Sequence, residues 1–439
     1  MPSSSLRPAL PATYEAALAY LDDHVNLEAV ASGRFEAPTL ERMEHLCTLL
    51  GDPQHDAPVV HVTGTNGKGS TARLTTALLQ AHGLAVGTYT SPDLGRVTER
   101  ISRNGEPIGE ADFTEAVAAV AATAHAGGIV PSRFEILTLA ALRWFADVAV
   151  DAAVVEVGMG GRWDATNVVE AGVAVVTNVG LDHTDVLGPT RADIAGEKAG
   201  IVGPKATLVL GEADPALAPI FEATGPGALW TRHQDFGVRT NDVAVGGRLV
   251  DLYTPGASYD QLFVPLHGAH QGDNAAAAVA AAEAFFGRPL DPEVVRQGLA
   301  GVQVPGRFEV VGRRPLVVLD GAHNPDGCRA AATTLGDFSI AGSPVLVVGM
   351  NRGRSPAEML GALEAAHAGL VVACAVDWPR AVPAAEVAAA ARELGAEVEV
   401  VPAVGEALSR ALAVAGPDDA VLVTGSLHVV GAARSALRP

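Results

Sequence analysis

With 439 residues, the chain exceeds the usual span of one hydrophobic core, so two domains are the first expectation. Hydrophobic residues at 49% and charged ones at 18% exclude long disorder, and a formal net charge of −20 argues against nucleic acid as a partner. Cys47, Cys328 and Cys374 are scattered without C-x-x-C spacing, so neither a disulfide framework nor a zinc site is indicated and a reducing cytoplasm fits.

The start, Met1 to Leu10, has no apolar signal-peptide region, and Glu283 interrupts the one long alanine-rich stretch, so no membrane span is expected. Helical spacing appears at Pro11–Tyr20 and Thr39–Leu50, with Thr39 as N-cap and Gly51 as stop. Residues Val59 to Ser70 then read V-V-H-V-T-G-T-N-G-K-G-S: an apolar β-branched run, then a glycine-rich turn with one lysine. Such a turn aims successive backbone N–H groups and a helix N-terminus at one centre, which is how a chain cradles phosphate. The general P-loop pattern would need glycine at Val62 and a hydroxyl at Gly69, so G-T-N-G-K-G-S is a narrower variant.

Beyond it, apolar strands at Ala85–Thr90, Ala152–Val157, Val173–Val179 and Thr207–Leu210 alternate with helices at Phe113–Ala126 and Glu135–Phe145. That alternation predicts an α/β fold with a mostly parallel sheet covered on both faces. Gly237 to Val264 changes to short polar–apolar segments, a small antiparallel addition, and a helix follows at Gly272–Phe286. Val304-Pro305-Gly306-Arg307 looks like a connector. Strands recur at Leu316–Leu319, Val345–Val348, Leu370–Val376, Val398–Val401 and Ala420–Val423, a second, smaller Rossmann-like α/β domain. Clefts between such domains, at the carboxyl ends of parallel strands, are where ligands bind.

Glu156 ends a buried strand and needs a partner, either a cation in an ion pair or Mg²⁺, a hard ion that takes oxygen ligands and bridges phosphates. Asp182-His183 follows the next strand, where a metal site, an acid–base site and a structural histidine all remain open. Lys198, among small residues in E-K-A-G-I, is either a reactive lysine of lowered pKa or a phosphate-facing or solvated one. Leu319-Asp320-Gly321-Ala322-His323-Asn324-Pro325 repeats strand, acid and tight turn in the second domain. Cys328, close to a helix start, is read as a packing residue.

Together G-T-N-G-K-G-S, T-S-P-D-L (Thr90–Leu94), E-V-G-M-G-G-R-W-D-A-T-N, L-D-H-T-D-V-L-G, E-K-A-G-I, H-Q-G-D-N (His270–Asn274), P-G-R-F-E and L-D-G-A-H-N-P resemble the dihydrofolate synthase/folylpolyglutamate synthase family of Mur-ligase-like ATP-dependent amide ligases. The resemblance implies an ATP-binding, Mur-ligase central-type domain over 1–304, a linker over 305–309 and a glutamate-ligase domain over 310–439. It implies that Gly64, Thr65, Asn66, Gly67, Lys68, Gly69 and Ser70 hold the ATP phosphates, with Asn274, Arg307 and Asp320 on the nucleotide. Ser91, Glu156 and His183 would bind magnesium, two ions in all. Lys198 would be carbamylated as N6-carboxylysine and supply a second metal ligand, and His323 would sit near the incoming glutamate. Ser132, Arg133, Phe134, Glu135, Trp163, Asp164 and Ala165 would line the pterin pocket; Phe134 and Trp163 suit a flat heterocycle, which stacks on rings.

The implied activity adds L-glutamate to dihydropteroate, to a reduced folate, or to both, through an acyl phosphate made with ATP, in a cytoplasmic monomer with no nucleic-acid or membrane partner. A Mur-type peptidoglycan-precursor ligase would share this chemistry, and a non-catalytic nucleotide-binding regulator would share the loop. This chain departs from the family at Asn351-Arg352-Gly353-Arg354, where an Asp-Lys-Asp-like triplet is common, and that puts contacts from this turn in doubt. It also has His428 where tyrosine is common and Trp163 where leucine is usual.

Overall fold

The apolar runs Val59–Thr63 and Ala152–Glu156 are buried along their whole length and pair in parallel at the centre of a sheet. The period of two decides what each side chain meets. Val60, Val62 and Val154 enter a core with the helices Lys68–Ala81 and His270–Phe286, whereas Val59, Ala153 and Val155 pack with Glu110–Gly127 and Arg133–Asp147 on the opposite face. In this computed structural model, residues 10–26, 28 and 40–437 are described. The expected N-cap Thr39 lies outside them; the helix Glu41–Leu49 starts after Leu40, which makes no side-chain cap.

Eight strands form the first sheet, in the order Glu106–Pro107, Ile101–Arg103, Val86–Tyr89, Ala152–Glu156, Val59–Thr63, Ala171–Val176, Thr207–Leu210 and Ala228–Thr231. The five pairings from Val86–Tyr89 outward are parallel; the short Ile101–Arg103 and Glu106–Pro107 strands are antiparallel. The alanine-rich run is a buried core helix, with Ala275 to Ala282 all enclosed, because small side chains let it lie close to Lys68–Ala81. Among the described residues no helix is long and apolar enough to cross a membrane. Gly237–Ala244, Gly247–Tyr253 and Ser258–Val264 form the expected antiparallel addition, a three-stranded sheet.

A second sheet runs Glu309–Arg313, Leu316–Leu319, Ala420–Thr424, Val345–Val348, Leu370–Ala375 and Val398–Ala403. Only the edge strand Glu309–Arg313 is antiparallel, and its polar, half-exposed pattern explains why the sequence shows no strand there. In both sheets, the loops leaving the carboxyl ends of the parallel strands carry the residues that meet across the cleft, as Asn66 meets Asn324 and Asp182 meets Arg354. Cys47, Cys328 and Cys374 are buried, and burial pushes each thiol up to about 12, so they pack rather than react.

Candidate active site

Two glycines make the loop possible. Gly64 has φ +151°, and a Cβ there would sit 1.8 Å from Thr177 Oγ1; Gly67 caps the helix at φ +83°, with Asn274 Oδ1 where a Cβ would go. Neighbouring loops finish the turn. Thr65 N and Asn66 N donate to the Asn178 carbonyl and Oδ1 at 3.0 Å each, while Thr177 Oγ1 donates to Asn66 O at 2.6 Å. Asn274, from the alanine-rich helix, packs on Gly67 and receives Thr71 Oγ1 at 3.5 Å. The helix starts at Lys68, whose ammonium folds back to Gly64 O at 3.1 Å and Thr65 O at 3.4 Å. Burial holds the Lys68 pKa down, and the fields of Glu156 and Asp182 oppose that.

Glu156 is 3% exposed, and burial raises its pKa against the pull of Lys68. Its Oε2 accepts from Ser91 N at 3.1 Å, and Gly69 leaves room beside it, since a Cβ there would lie 3.4 Å from that oxygen. A buried carboxylate with one backbone donor, next to a serine and the first turn of a phosphate loop, suits a hard divalent cation. His183 does not join them through a ready-made cluster. Its Nε2 accepts from Arg354 Nη2 at 3.3 Å, and among the described residues no three His, Cys, Asp or Glu side chains converge for a metal. His183 also holds a left-handed backbone, φ +50°, a strain found where surrounding contacts over-determine a residue.

Asp182 is the hub of the cleft. Its Oδ1 accepts from Arg354 Nη2 at 2.6 Å, its Oδ2 from Asn324 Nδ2 at 3.1 Å, and His323 Nε2 lies 3.6 Å away. Despite burial, Arg354 and its other partners hold this carboxyl well below the usual range. Asn324 also exchanges hydrogen bonds with Asn66 of the phosphate loop at 3.0 and 3.2 Å, while its Oδ1 caps the helix Pro325–Leu335 through Gly327 N. Burial lowers His323 to about 3 and His183 to about 4, so both imidazoles are neutral near pH 7. His323 Nδ1 is 2.9 Å from Gly321 O; the neutral ring donates there and keeps Nε2 as an acceptor.

Asp320 receives Phe308 N at 2.7 Å and Ala322 N at 2.9 Å, tying the connector to the second sheet. Burial raises its pKa against the attraction of Arg307. The guanidinium of Arg307 lies over Gly321, where a Cβ would be 2.5 Å from Nη1, so a side chain at 321 would displace it.

The expected pterin residues divide. Phe134 packs against Gly158 and lies 6.0 Å from the Tyr89 ring, two residues from Glu156 along the chain at Gly158. Ser132 and Glu135 form a reciprocal capping box at the helix Arg133–Asp147, Glu135 also pairs with Arg42 at 2.8 Å, and Arg133 pairs with Asp22. Their polar groups are engaged before any ligand arrives. Asp164 likewise accepts from Met159 N and Thr166 N, at 3.0 Å each, and shapes the turn where Ala165 is buried; Trp163 is 47% exposed.

Lys198 is 3% exposed, and burial lowers its pKa to about 7, aided by Lys68 and opposed by Asp182 and Asp164. A free amine at this depth can add CO₂. Because its folded value lies below the ordinary lysine value, the neutral form grows as pH rises through about 7. Carbon-13 NMR with labelled bicarbonate is expected to show a carbamate signal that strengthens from pH 6 to 8 and is lost in Lys198→Met; a signal that survives the substitution would place the carbamate elsewhere.

Sequence comparison matches residues 62–282 to the Mur ligase middle domain and 306–427 to the Mur ligase, glutamate ligase domain. A dihydrofolate synthase/folylpolyglutamate synthase of Mycobacterium tuberculosis is 40% identical over 440 residues, covering 91% of this chain and 90% of that protein. The chain belongs to the dihydrofolate synthase/folylpolyglutamate synthase family. Among solved structures of this family, M. tuberculosis folylpolyglutamate synthase complexed with ADP superposes with a TM-score of 0.90 at 36% identity, covering 97% of this chain and 98% of that one. E. coli FolC in complex with DHPP and ADP gives 0.87 at 32% identity, covering 98% and 99%. A bifunctional folylpolyglutamate synthase/dihydrofolate synthase with Mn, AMPPNP and L-glutamate bound gives 0.86 at 32%, covering 99% and 100%. A family member is an ATP-dependent ligase, and the α/β fold expected from the sequence agrees with these structures.

The structure adds residues that the sequence did not single out. Asn324 had a local signal, asparagine before proline at a helix start. Arg354 had none: it lies in the altered Asn351–Arg354 turn and reaches Asp182 and His183 of the other domain. At the same edge of the second sheet, Asn351 Oδ1, Arg354 Nε, Trp378 Nε1, Arg380 Nε and Thr424 Oγ1 are buried with no hydrogen-bond partner among the described residues, and Trp378 stacks on His428 at 4.5 Å. Buried polar atoms gathered at one strand edge can be satisfied there by a polar ligand or by water.

Proposed function

We propose that this chain joins L-glutamate to the carboxyl group of dihydropteroate, of a reduced folate, or of both, with conversion of ATP to ADP and phosphate. The observation that carries it is the meeting of two edges: the phosphate loop with Lys68, Ser91 and Glu156 on one, and the unsatisfied polar edge of the second domain on the other, bridged by Asp182–Arg354.

A carboxylate has a poor leaving group, so an acceptor oxygen first attacks the terminal phosphorus of ATP, ADP departs, and an acyl phosphate forms. Gly64 to Ser70 would hold the phosphates, with backbone N–H groups and the Lys68 ammonium meeting the charge that builds on the transferred group. Asn274, Arg307 and Asp320 would orient the nucleotide. Ser91, Glu156 and His183 would hold Mg²⁺, with a carbamylated Lys198 for a second ion, and the metal supplies charge neutralisation across the phosphates. For His183 to serve as a ligand, Arg354 Nη2 would have to give up its 3.3 Å contact with His183 Nε2.

The amino group of glutamate then attacks the acyl carbon, phosphate leaves from the tetrahedral adduct, and an amide remains. The donors of Arg354, Arg380 and Trp378 suit the carboxylates of an amino acid, and neutral His323 offers Nε2 to its amino group. Phe134 and Trp163 would stack the pterin. The deciding assay is magnesium-dependent phosphate release with L-glutamate and each acceptor, with products identified by mass. Glutamylated product from either acceptor is expected; turnover only with a peptidoglycan precursor would sink the proposal.

A further inference from the structure

A cavity of about 460 Å³ runs from Ser91 and Glu156 along the helix Lys68–Ala81 to Arg434 of the last helix. Gly69, against Glu156, and Arg73 line it from one face of that helix, four residues apart, so their backbone positions stand about 6 Å apart along the axis. Among the described residues, the Arg73 guanidinium feels Glu156 and Glu99 but forms no hydrogen bond with either. The nearby acids are occupied. Glu99 accepts from Leu94 N and Gly95 N, Asp93 pairs with Arg100, and Glu156 takes Ser91 N; of the cavity's other two arginines, Arg434 pairs with Glu309 at 3.2 Å, and Arg307 is the residue already proposed for the nucleotide. In a chain of net charge −20, a half-buried guanidinium with no ion pair among the described residues, in a cavity, calls for an anionic ligand.

The two acceptors differ in one such group. Dihydropteroate ends in a single benzoate carboxylate, whereas a folate ends in a glutamyl residue whose α- and γ-carboxylates are separated by three carbons. With the γ-carboxylate at the Ser91–Glu156–Lys68 end for phosphorylation, the α-carboxylate would reach roughly one helical turn away, within the part of the cavity that Arg73 lines. We propose that Arg73 binds the α-carboxylate of the terminal glutamyl residue of a folate acceptor and so sets the preference between the two acceptors. The inference rests on the ligase function above and adds a residue to its acceptor site.

The test is steady-state kinetics of the wild type, Arg73→Met and Arg73→Lys with dihydropteroate, with tetrahydrofolate and with its diglutamate. In Arg73→Met, KM for both folates is expected to rise at least tenfold while KM for dihydropteroate moves less than twofold, which also shows that the variant is folded. Arg73→Lys should recover part of the folate affinity, because it keeps the charge but loses the planar fork. An equal change with all three acceptors, a rise in KM for ATP alone, or no change overturns the assignment. A wild type inactive with every acceptor would instead overturn the ligase function itself, an outcome visible before any variant is compared.

Discussion

Lys68→Met is expected to lower turnover by about a thousandfold and to leave the thermal midpoint within about 2 °C. The ammonium is held by two carbonyls of its own loop, Gly64 O and Thr65 O, and by no side chain among the described residues. Burial already depresses its pKa, so replacing it with an apolar chain of similar length removes a desolvation cost along with those bonds. What is lost is a cation preorganised toward charge that develops on the transferred phosphoryl, where one donor is worth about 10²–10³ in rate. Calorimetry beside a phosphate-release assay checks both halves. A large fall in the midpoint would make Lys68 a structural residue, and residual turnover above about a tenth would remove it from the phosphate site.

Asp182→Asn should cost about 3 kcal/mol of interdomain closure, seen as roughly a hundredfold fall in kcat/KM and faster hydrogen exchange in the Val304–Phe308 connector. The pair with Arg354 is buried on both sides, with side-chain exposures of 7% and 13%, so the amide would leave a guanidinium enclosed and unpaired. Arg354→Met in the same molecule removes that stranded charge. The double variant is therefore expected to lose less than the sum of the single losses, and strict additivity would show that the two groups act independently. The pH behaviour follows from the sign of the shift. Asp182 is held below its unfolded value, so its contribution is complete above about pH 4 and fades only as pH falls through the lower folded value. Closure measured from pH 5 to 8 should not vary through this group.

How far the site was legible depends on the range of each interaction. The loop Gly64–Ser70 could be read because its geometry is local: glycines at positive φ, then a helix N-terminus. The core strands were legible because continuous apolar runs have few alternatives in a covered sheet. The strands Ile101–Arg103, Glu106–Pro107, Ala228–Thr231 and Glu309–Arg313 are short or half-exposed, and their pairing comes from neighbours rather than from their own pattern. Ser132 and Glu135 carried a second local signal, a capping box, beside the pterin role that the resemblance implied.

By itself the sequence determined an acidic α/β chain with a phosphate loop, a carboxylate at the end of a buried strand and the motif order of a folate-ligase family, since composition, period and short motifs are encoded in adjacent residues. Only the tertiary structure decided that Arg354 meets Asp182 across 172 residues and that Asn324 meets Asn66 across 258. It alone showed that His183 already faces a guanidinium and that Arg73, among the described residues, lines a cavity without an ion pair. Pairings of that kind depend on how two sheets place their carboxyl edges against each other, and no local spacing carries that information.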